Sequence, residues 1–168
     1  EQQQMAATFK IIPYAVKRAL LQQVIAAAGG KPVLSLAPFR PHDVGLVLTQ
    51  VAGGKASLAA KAEEAMRSRI AGLGSKLSQV VRCPHDAAAV QAAIGQLKAA
   101  GCAPILLFGA SAIVDRGDVL PAALEGKGGE VLHLSMPVDP GNLLMLGRLG
   151  ETDVVGVPSC ARSPKVNG

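Results

Sequence analysis

Residues 76–108 read KLSQVVRCPHDAAAVQAAIGQLKAAGCAPILLF, and this stretch decides the fold. KLSQVVRC (76–83) has the composition of a strand. PILLF (104–108) is a continuous apolar run, as expected of a strand buried on both faces. Between them Ala87, Val90, Ile94 and Leu97 recur at helical spacing, and Asp86 stands where an N-cap belongs. Strand, helix and strand with short connections make a βαβ unit, so the two strands run parallel and the helix crosses one face of their sheet.

The same rhythm extends both ways. Upstream, VGLVLT (44–49) is another apolar run. It leads through the glycine-rich turn VAGGKAS to a helix with Leu58, Ala62, Met66, Ile70 and Leu73 on one face. Downstream, a short helix through Leu124 ends at GKGG, and EVLHL (130–134) reads as a strand. LLMLG (143–147) and DVVGV (153–157) flank a turn around Leu149-Gly150-Glu151 as a hairpin, which requires at least one antiparallel strand. The fold class is therefore α/β: a three-layer α/β/α sandwich around a mostly parallel mixed sheet.

Before Asp43 the pattern differs. TFKIIP (8–13) and PVLSLAPF (32–39) read as strands around a helix marked by Val16, Leu20, Val24 and Ala27, which Gly29-Gly30 stops. RPH (40–42) looks like a connector. Residues 1–42 are thus expected to be a strand–helix–strand linker or docking segment, and 43–168 the main domain. PSCARSPKVNG ends as a helix would begin, so the chain reads as a piece of a longer protein, truncated at the C-terminal end of that domain.

Composition narrows the function. A chain of 168 residues with 49% hydrophobic and 17% charged residues is long and apolar enough to fold around a core. With three Phe, one Tyr and no Trp, that core must be built from Ala, Val, Leu and Ile. The net charge of +5 is not gathered into basic blocks interleaved with aromatics, which argues against nucleic acid and for a small anion. No apolar run approaches the roughly 18 residues of a membrane span. EQQQMAATFK has no signal-peptide pattern. Cys83, Cys102 and Cys160 are odd in number and far apart, which favours a reducing cytoplasm over a disulfide framework. His42, His85 and His133 read as structural, and Cys160 has no nearby histidine in the sequence to activate it.

Ligands of open α/β sheets bind beyond the carboxyl ends of the strands, and three loops qualify: after Thr49, after Phe108 and after Val157. The second, GASAIVDRGDVLPAAL (109–124), carries the most chemistry. Gly109, Ala110 and Ser111 allow close backbone approach, and the serine hydroxyl suits a phosphate oxygen. Asp115 and Asp118 do not belong beside a bare phosphate. Like charges about 4 Å apart repel by roughly 4 kcal/mol at an effective dielectric near 20, whereas a helix N-terminus returns only about 0.3–1 kcal/mol. A phosphate here therefore implies a bridging divalent cation. Mg²⁺ suits it, because it takes one or two carboxylates together with phosphate and water oxygens.

A bland alternative stays open, with Asp118 as N-cap of the following helix and Asp115 and Arg116 as a solvated pair. GxxxxGK[ST] and GxGxxG are both absent, so neither a P-loop nor a Rossmann dinucleotide site is expected. The third loop offers Ser159, Arg162, Ser163 and Lys165 as a second anion site, or simply a basic helix start. MPVDPGN (136–142) is a turn, in which Asp139 is placed to accept from an amino-pyrimidine edge.

The order VGLVLT, GASAIVDRGDVLPAAL, MPVDPGNLLMLG and VVGVPSCARSP resembles the molybdopterin-binding domain of molybdenum-cofactor biosynthesis, over about residues 43–168. That domain is shared by molybdopterin adenylyltransferase and the central domain of molybdopterin molybdenumtransferase. The likeness is greatest to a bacterial branch in which it lies beside a nucleotidyltransferase domain linked to cofactor cytidylylation, and KIIPYAV (10–16) resembles the segment preceding it there. The resemblance implies that Gly109 and Ser111 belong to a phosphate- or pyrophosphate-binding turn and that Asp115 and Asp118 hold Mg²⁺ and serve catalysis. It also implies that Val157, Pro158 and Ser159 correspond to a later Leu-Pro-Gly turn before a helix.

Three departures limit the activity it implies. The turn is Gly-Ala-Ser rather than Gly-Gly-Thr-Gly, Ser159 replaces a glycine, and QVAGGK lacks an acidic residue. Ligand binding is expected before nucleotidyltransferase or molybdenumtransferase activity. The binding set expected is Gly109, Ala110, Ser111, Asp139, Gly141, Pro158, Ser159, Arg162, Ser163 and Lys165. Expected partners are a small-molecule pterin or nucleotide, further copies of the chain and an adjacent nucleotidyltransferase domain. The rival readings are a non-catalytic sensing or assembly module, and a nucleotide pyrophosphate hydrolase on the same scaffold.

Overall fold

A computed structural model describes residues 8, 10, 13–32, 35–54 and 56–163. The chain divides into two compact units, Glu1–Pro38 and Phe39–Gly168. In the first, α1 spans Arg18–Ala27 and leaves Leu20, Leu21, Val24 and Ile25 exposed. Gly29 and Gly30, both at positive φ, end it. The strand read over 8–13 falls largely outside the described residues. The one read over 32–39 does not form across 35–39, where Leu36 and Phe39 stay exposed. Alternating apolar residues make a strand only where a neighbour takes the backbone hydrogen bonds and a layer covers the apolar face.

The second unit is the α/β/α sandwich. Its strands are β1 (Asp43–Gln50), β2 (Lys76–Pro84), β3 (Ile105–Phe108), β4 (Glu130–Leu134), β5 (Met145–Leu149) and β6 (Thr152–Val157). They form one sheet in the order β2-β1-β3-β6-β5-β4. Pairing is parallel from β2 through β6, and β5 is antiparallel to both its neighbours. β4 therefore runs in the same direction as β6, and β5 alone is reversed. Leu149 pairs with Thr152 across a two-residue turn whose Gly150 has φ 61°, the positive value a tight hairpin turn demands.

β1 shows how the apolar runs are used. Val44, Leu46 and Leu48 point into one core with Ala62, Met66 and Ile70 of α2 (Ala56–Gly72). Val47 points into the other, with Val90, Ile94 and Leu97 of α3 (Ala87–Ala99) and Leu120 and Leu124 of α4 (Val119–Gly126). Helical layers thus cover both faces, and a strand between them reads as unbroken hydrophobicity. Asp86 caps α3 as expected, accepting from the Ala89 N–H at 2.9 Å. α3 comes so close to β1 that a Cβ on Gly45 would lie 2.9 Å from the Cys102 Cβ and 3.1 Å from Leu97 Cδ1. Among the described residues, no helix is long and apolar enough to cross a membrane.

Candidate functional site

The parallel strands deliver four connections to one end of the sheet. Leu48 pairs with Phe108, Phe108 with Val157, and Gln50 with Pro84, so the segments after β1, β2, β3 and β6 emerge together. The register Leu134–Met145–Gly156–Leu107 carries the 135–144 turn to the same end. Beside the central strands lies a cavity of about 110 Å³, lined by Thr49, Leu58, Phe108, Gly109, Ala110 and Arg162 among others. Leu58, at the start of α2, is exposed because it borders this cavity instead of the core. The Arg162 guanidinium stands over the Phe108 ring at 5.4 Å from its centroid, and its buried Nε has no hydrogen-bond partner among the described residues.

The 109–118 loop is moored at three points. Gly109 turns so tightly that a Cβ there would lie 2.7 Å from the Ser111 carbonyl oxygen. Ala110 donates its N–H to Thr49 Oγ1 at 2.8 Å. Ile113 then plugs the core, while Val114, Asp115 and Arg116 on its far side are exposed.

The aspartates close the loop. Asp118 occupies the N-cap position of α4, but its carboxylate does not cap the helix. Oδ2 turns back to accept from the N–H groups of Val114, at 2.6 Å, and Asp115, at 3.1 Å. The Val114 N–H, and after it the Asp115 N–H, hold the Asp118 carboxyl below its ordinary pKa. Partial desolvation opposes this and His85 assists weakly. Asp115 Oδ1 accepts from the Gly117 N–H at 2.6 Å. Arg116 does not pair with Asp115. It reaches Glu125 at 3.5 Å and the Val131 carbonyl at 3.1 Å, tying the loop to β4.

Among the described residues, one oxygen of each aspartate is thereby left without a hydrogen bond, on neighbouring parts of one loop. Carboxylate oxygens such as these are the donors that Mg²⁺ takes, one or two at a time, beside phosphate and water. They do not make a closed protein cage: among the described residues, no three His, Cys, Asp or Glu side chains converge as a metal site.

Gly109, Ala110 and Arg162 meet on the cavity; Ser111, the next residue in the chain, is not among the lining residues, and Asp115 and Asp118 follow beyond Ile113. Pro158 and Ser159 begin a 3-10 turn, Ser159–Arg162, in place of the expected helix start, and the Ser163 carbonyl accepts from Arg69 of α2 at 2.8 Å. Asp139 and Gly141 lie in the 135–144 turn, with no hydrogen bond to the Gly109 loop. Lys165 falls outside the described residues.

His85, which the sequence reads as structural, also stands at this end of the sheet. Its backbone N–H donates to the Gln50 carbonyl at 2.9 Å, its ring Nδ1 lies 2.7 Å from Thr49 Oγ1, and its ring Nε2 lies 2.8 Å from Ser111 Oγ. The available signal was its place just past the carboxyl end of a parallel strand, where the other ligand loops also leave the sheet.

No family model and no curated protein matches the chain. Among solved structures, its fold is similar to that of a molybdopterin biosynthesis MoeA protein from Pyrococcus horikosii. The TM-score is 0.51 at 17% sequence identity, over 72% of this chain and 31% of that one. The chain thus spans less than a third of the neighbour, and the likeness is one of fold.

Proposed function

We propose that the α/β unit binds molybdopterin, or a nucleotide derivative of it, during assembly of the molybdenum cofactor. The observation that carries this is the convergence of Thr49, Gly109, Ala110 and Arg162 on one cavity at the carboxyl end of the sheet. A fold shared with a molybdopterin biosynthesis protein supports it. In this reading the ligand phosphate lies at the Gly109–Ser111 turn, where Ser111 donates to an oxygen. Its ring system enters the apolar cavity, and Arg162 supplies the cation for a second anionic group. Asp139, on the neighbouring turn, accepts from the amino-pyrimidine edge. Asp115 and Asp118 hold Mg²⁺, which would neutralise the phosphate charge that bare carboxylates repel.

The test is equilibrium binding of molybdopterin with and without Mg²⁺, in the wild-type chain and in Asp115→Asn. An asparagine keeps the Oδ1 acceptor that Gly117 uses, so the turn survives and only the charge is removed. Binding that requires Mg²⁺ and weakens about tenfold or more in Asp115→Asn is expected. A folded wild-type chain that ignores molybdopterin in both conditions would refute the ligand. Equal affinity in the two proteins would refute the metal role.

A further inference from the structure

Thr49, His85 and Ser111 come from three separate loops and form one chain of hydrogen bonds, whose direction can be worked out. Thr49 is 7% exposed and its Oγ1 accepts the Ala110 N–H. Its own proton needs an acceptor, since an unpaired buried hydroxyl is costly. His85 Nδ1, at 2.7 Å, is the acceptor in reach. With Nδ1 accepting, the neutral imidazole carries its proton on Nε2. That N–H points at Ser111 Oγ, 2.8 Å away, so the serine oxygen is the acceptor in this pair. Ser111 is exposed, and its proton is left to turn outward.

We infer that Thr49 and His85 are positioning residues that aim the Ser111 hydroxyl at an oxyanion of the ligand. This rests on the phosphate-turn reading above and adds the device that orients its donor. Protons run in one direction, from Ala110 N–H through Thr49 to His85, and from His85 through Ser111 to the anion, and each bond polarises the next. In this direction His85 is not set as the base of a serine nucleophile. A general base must accept the serine proton, whereas here Nε2 donates to the serine oxygen. His85 is rigidly placed for this task. Its backbone prolongs the β1–β2 ladder through Gln50, and Asp86 caps the helix that follows.

Two measurements test it. The first is the long-range ¹⁵N–¹H spectrum of the imidazoles at alkaline pH. The chain has three histidines, so a His85→Gln sample identifies the His85 signals by their loss. The Nε2–H form is expected, changing toward the Nδ1–H form in Thr49→Val. An Nδ1–H form in the wild-type chain would overturn the inference without any ligand being used.

The second measurement is the affinity for inorganic pyrophosphate with Mg²⁺ present. His85→Phe is expected to bind about tenfold more weakly, the worth of one hydrogen bond involving a charged group. His85→Gln, whose terminal amide N–H reaches the place of Nε2, is expected to recover most of that loss. Full affinity in His85→Phe would overturn the donor role alone. A wild-type chain that shows the Nε2–H form but binds no pyrophosphate would overturn the phosphate-turn reading, and the anion-donor role with it.

Discussion

Gly109→Ala puts the tight turn to a quantitative test. A Cβ at this position would lie 2.7 Å from the Ser111 carbonyl oxygen and 3.1 Å from Leu120 Cδ1. Leu120 is a core side chain, and forcing it aside costs about 1–3 kcal/mol, the usual range for overpacking. The carbonyl belongs to the turn itself and yields only if the turn opens. Opening gives up the Ala110–Thr49 and His85–Ser111 hydrogen bonds, each worth about 0.5–1.5 kcal/mol net. Moving Leu120 does not relieve the carbonyl contact, so the turn must open; that opening alone costs about 1–3 kcal/mol, and the unit should stay folded with its midpoint in urea lowered and its m-value unchanged. Pyrophosphate affinity should fall by more than tenfold, because opening the turn spoils the donor geometry. Gly72→Ala is the control. A Cβ there meets nothing within 4 Å at the end of α2, so neutrality, or a gain of up to about 1 kcal/mol, is expected. Unaltered stability and affinity in Gly109→Ala would refute the account of the turn.

Two further outcomes follow from other parts of the unit. Asp118 has a depressed pKa, so its grip on the loop is complete above the ordinary carboxyl value, about 3.9, and is lost as pH falls through the lower native value. The amide proton shifts of Val114 and Asp115 should titrate together with a midpoint below the ordinary value, and a midpoint at or above it would contradict the two hydrogen bonds. Leu97→Ala should cost about 2–5 kcal/mol and Gly45→Ala about 1–3 kcal/mol in urea unfolding. The double variant should lose clearly less than the sum, because the new methyl enters the space Leu97 Cδ1 leaves; strict additivity would show that the two do not touch.

The strands were readable because their burial is local in the sequence. Val44–Leu48 and Ile105–Phe108 feed both cores and appear as unbroken apolar runs. β5 begins two residues later than its apolar run suggests, because the turn through Gly141–Leu143 uses Leu143 before the strand starts. In 35–39 the pattern failed because alternation says nothing about whether a partner strand exists. The site divides in the same way. The Gly109 turn, Asp115 and Asp118 stand together in the chain, and their residue types alone drew attention to an anion. The link from Thr49 to His85 to Ser111 joins positions 36 and 26 residues apart, and only the sheet order brings them within hydrogen-bond reach. The Asp118 carboxylate is likewise placed by the folded loop. Its place in the sequence predicts a cap, but the loop before it offers two N–H groups and takes the carboxylate instead.

Strands in a sheet lie about 4.8 Å apart, so β1, β3 and β6 present their three loops across roughly 10 Å. The 109–118 segment leaves the middle of these strands and rejoins the fold at α4, with a small residue at 109 and Ile113 as its plug into the core. It can therefore be treated as an exchangeable cassette. A grafted segment that keeps a glycine at 109, an N–H facing Thr49 and an aliphatic side chain at 113 inherits the mooring without a change in either helical layer. Ligand preference on this scaffold can then be redrawn with one loop, while the strands that carry the stability are left alone.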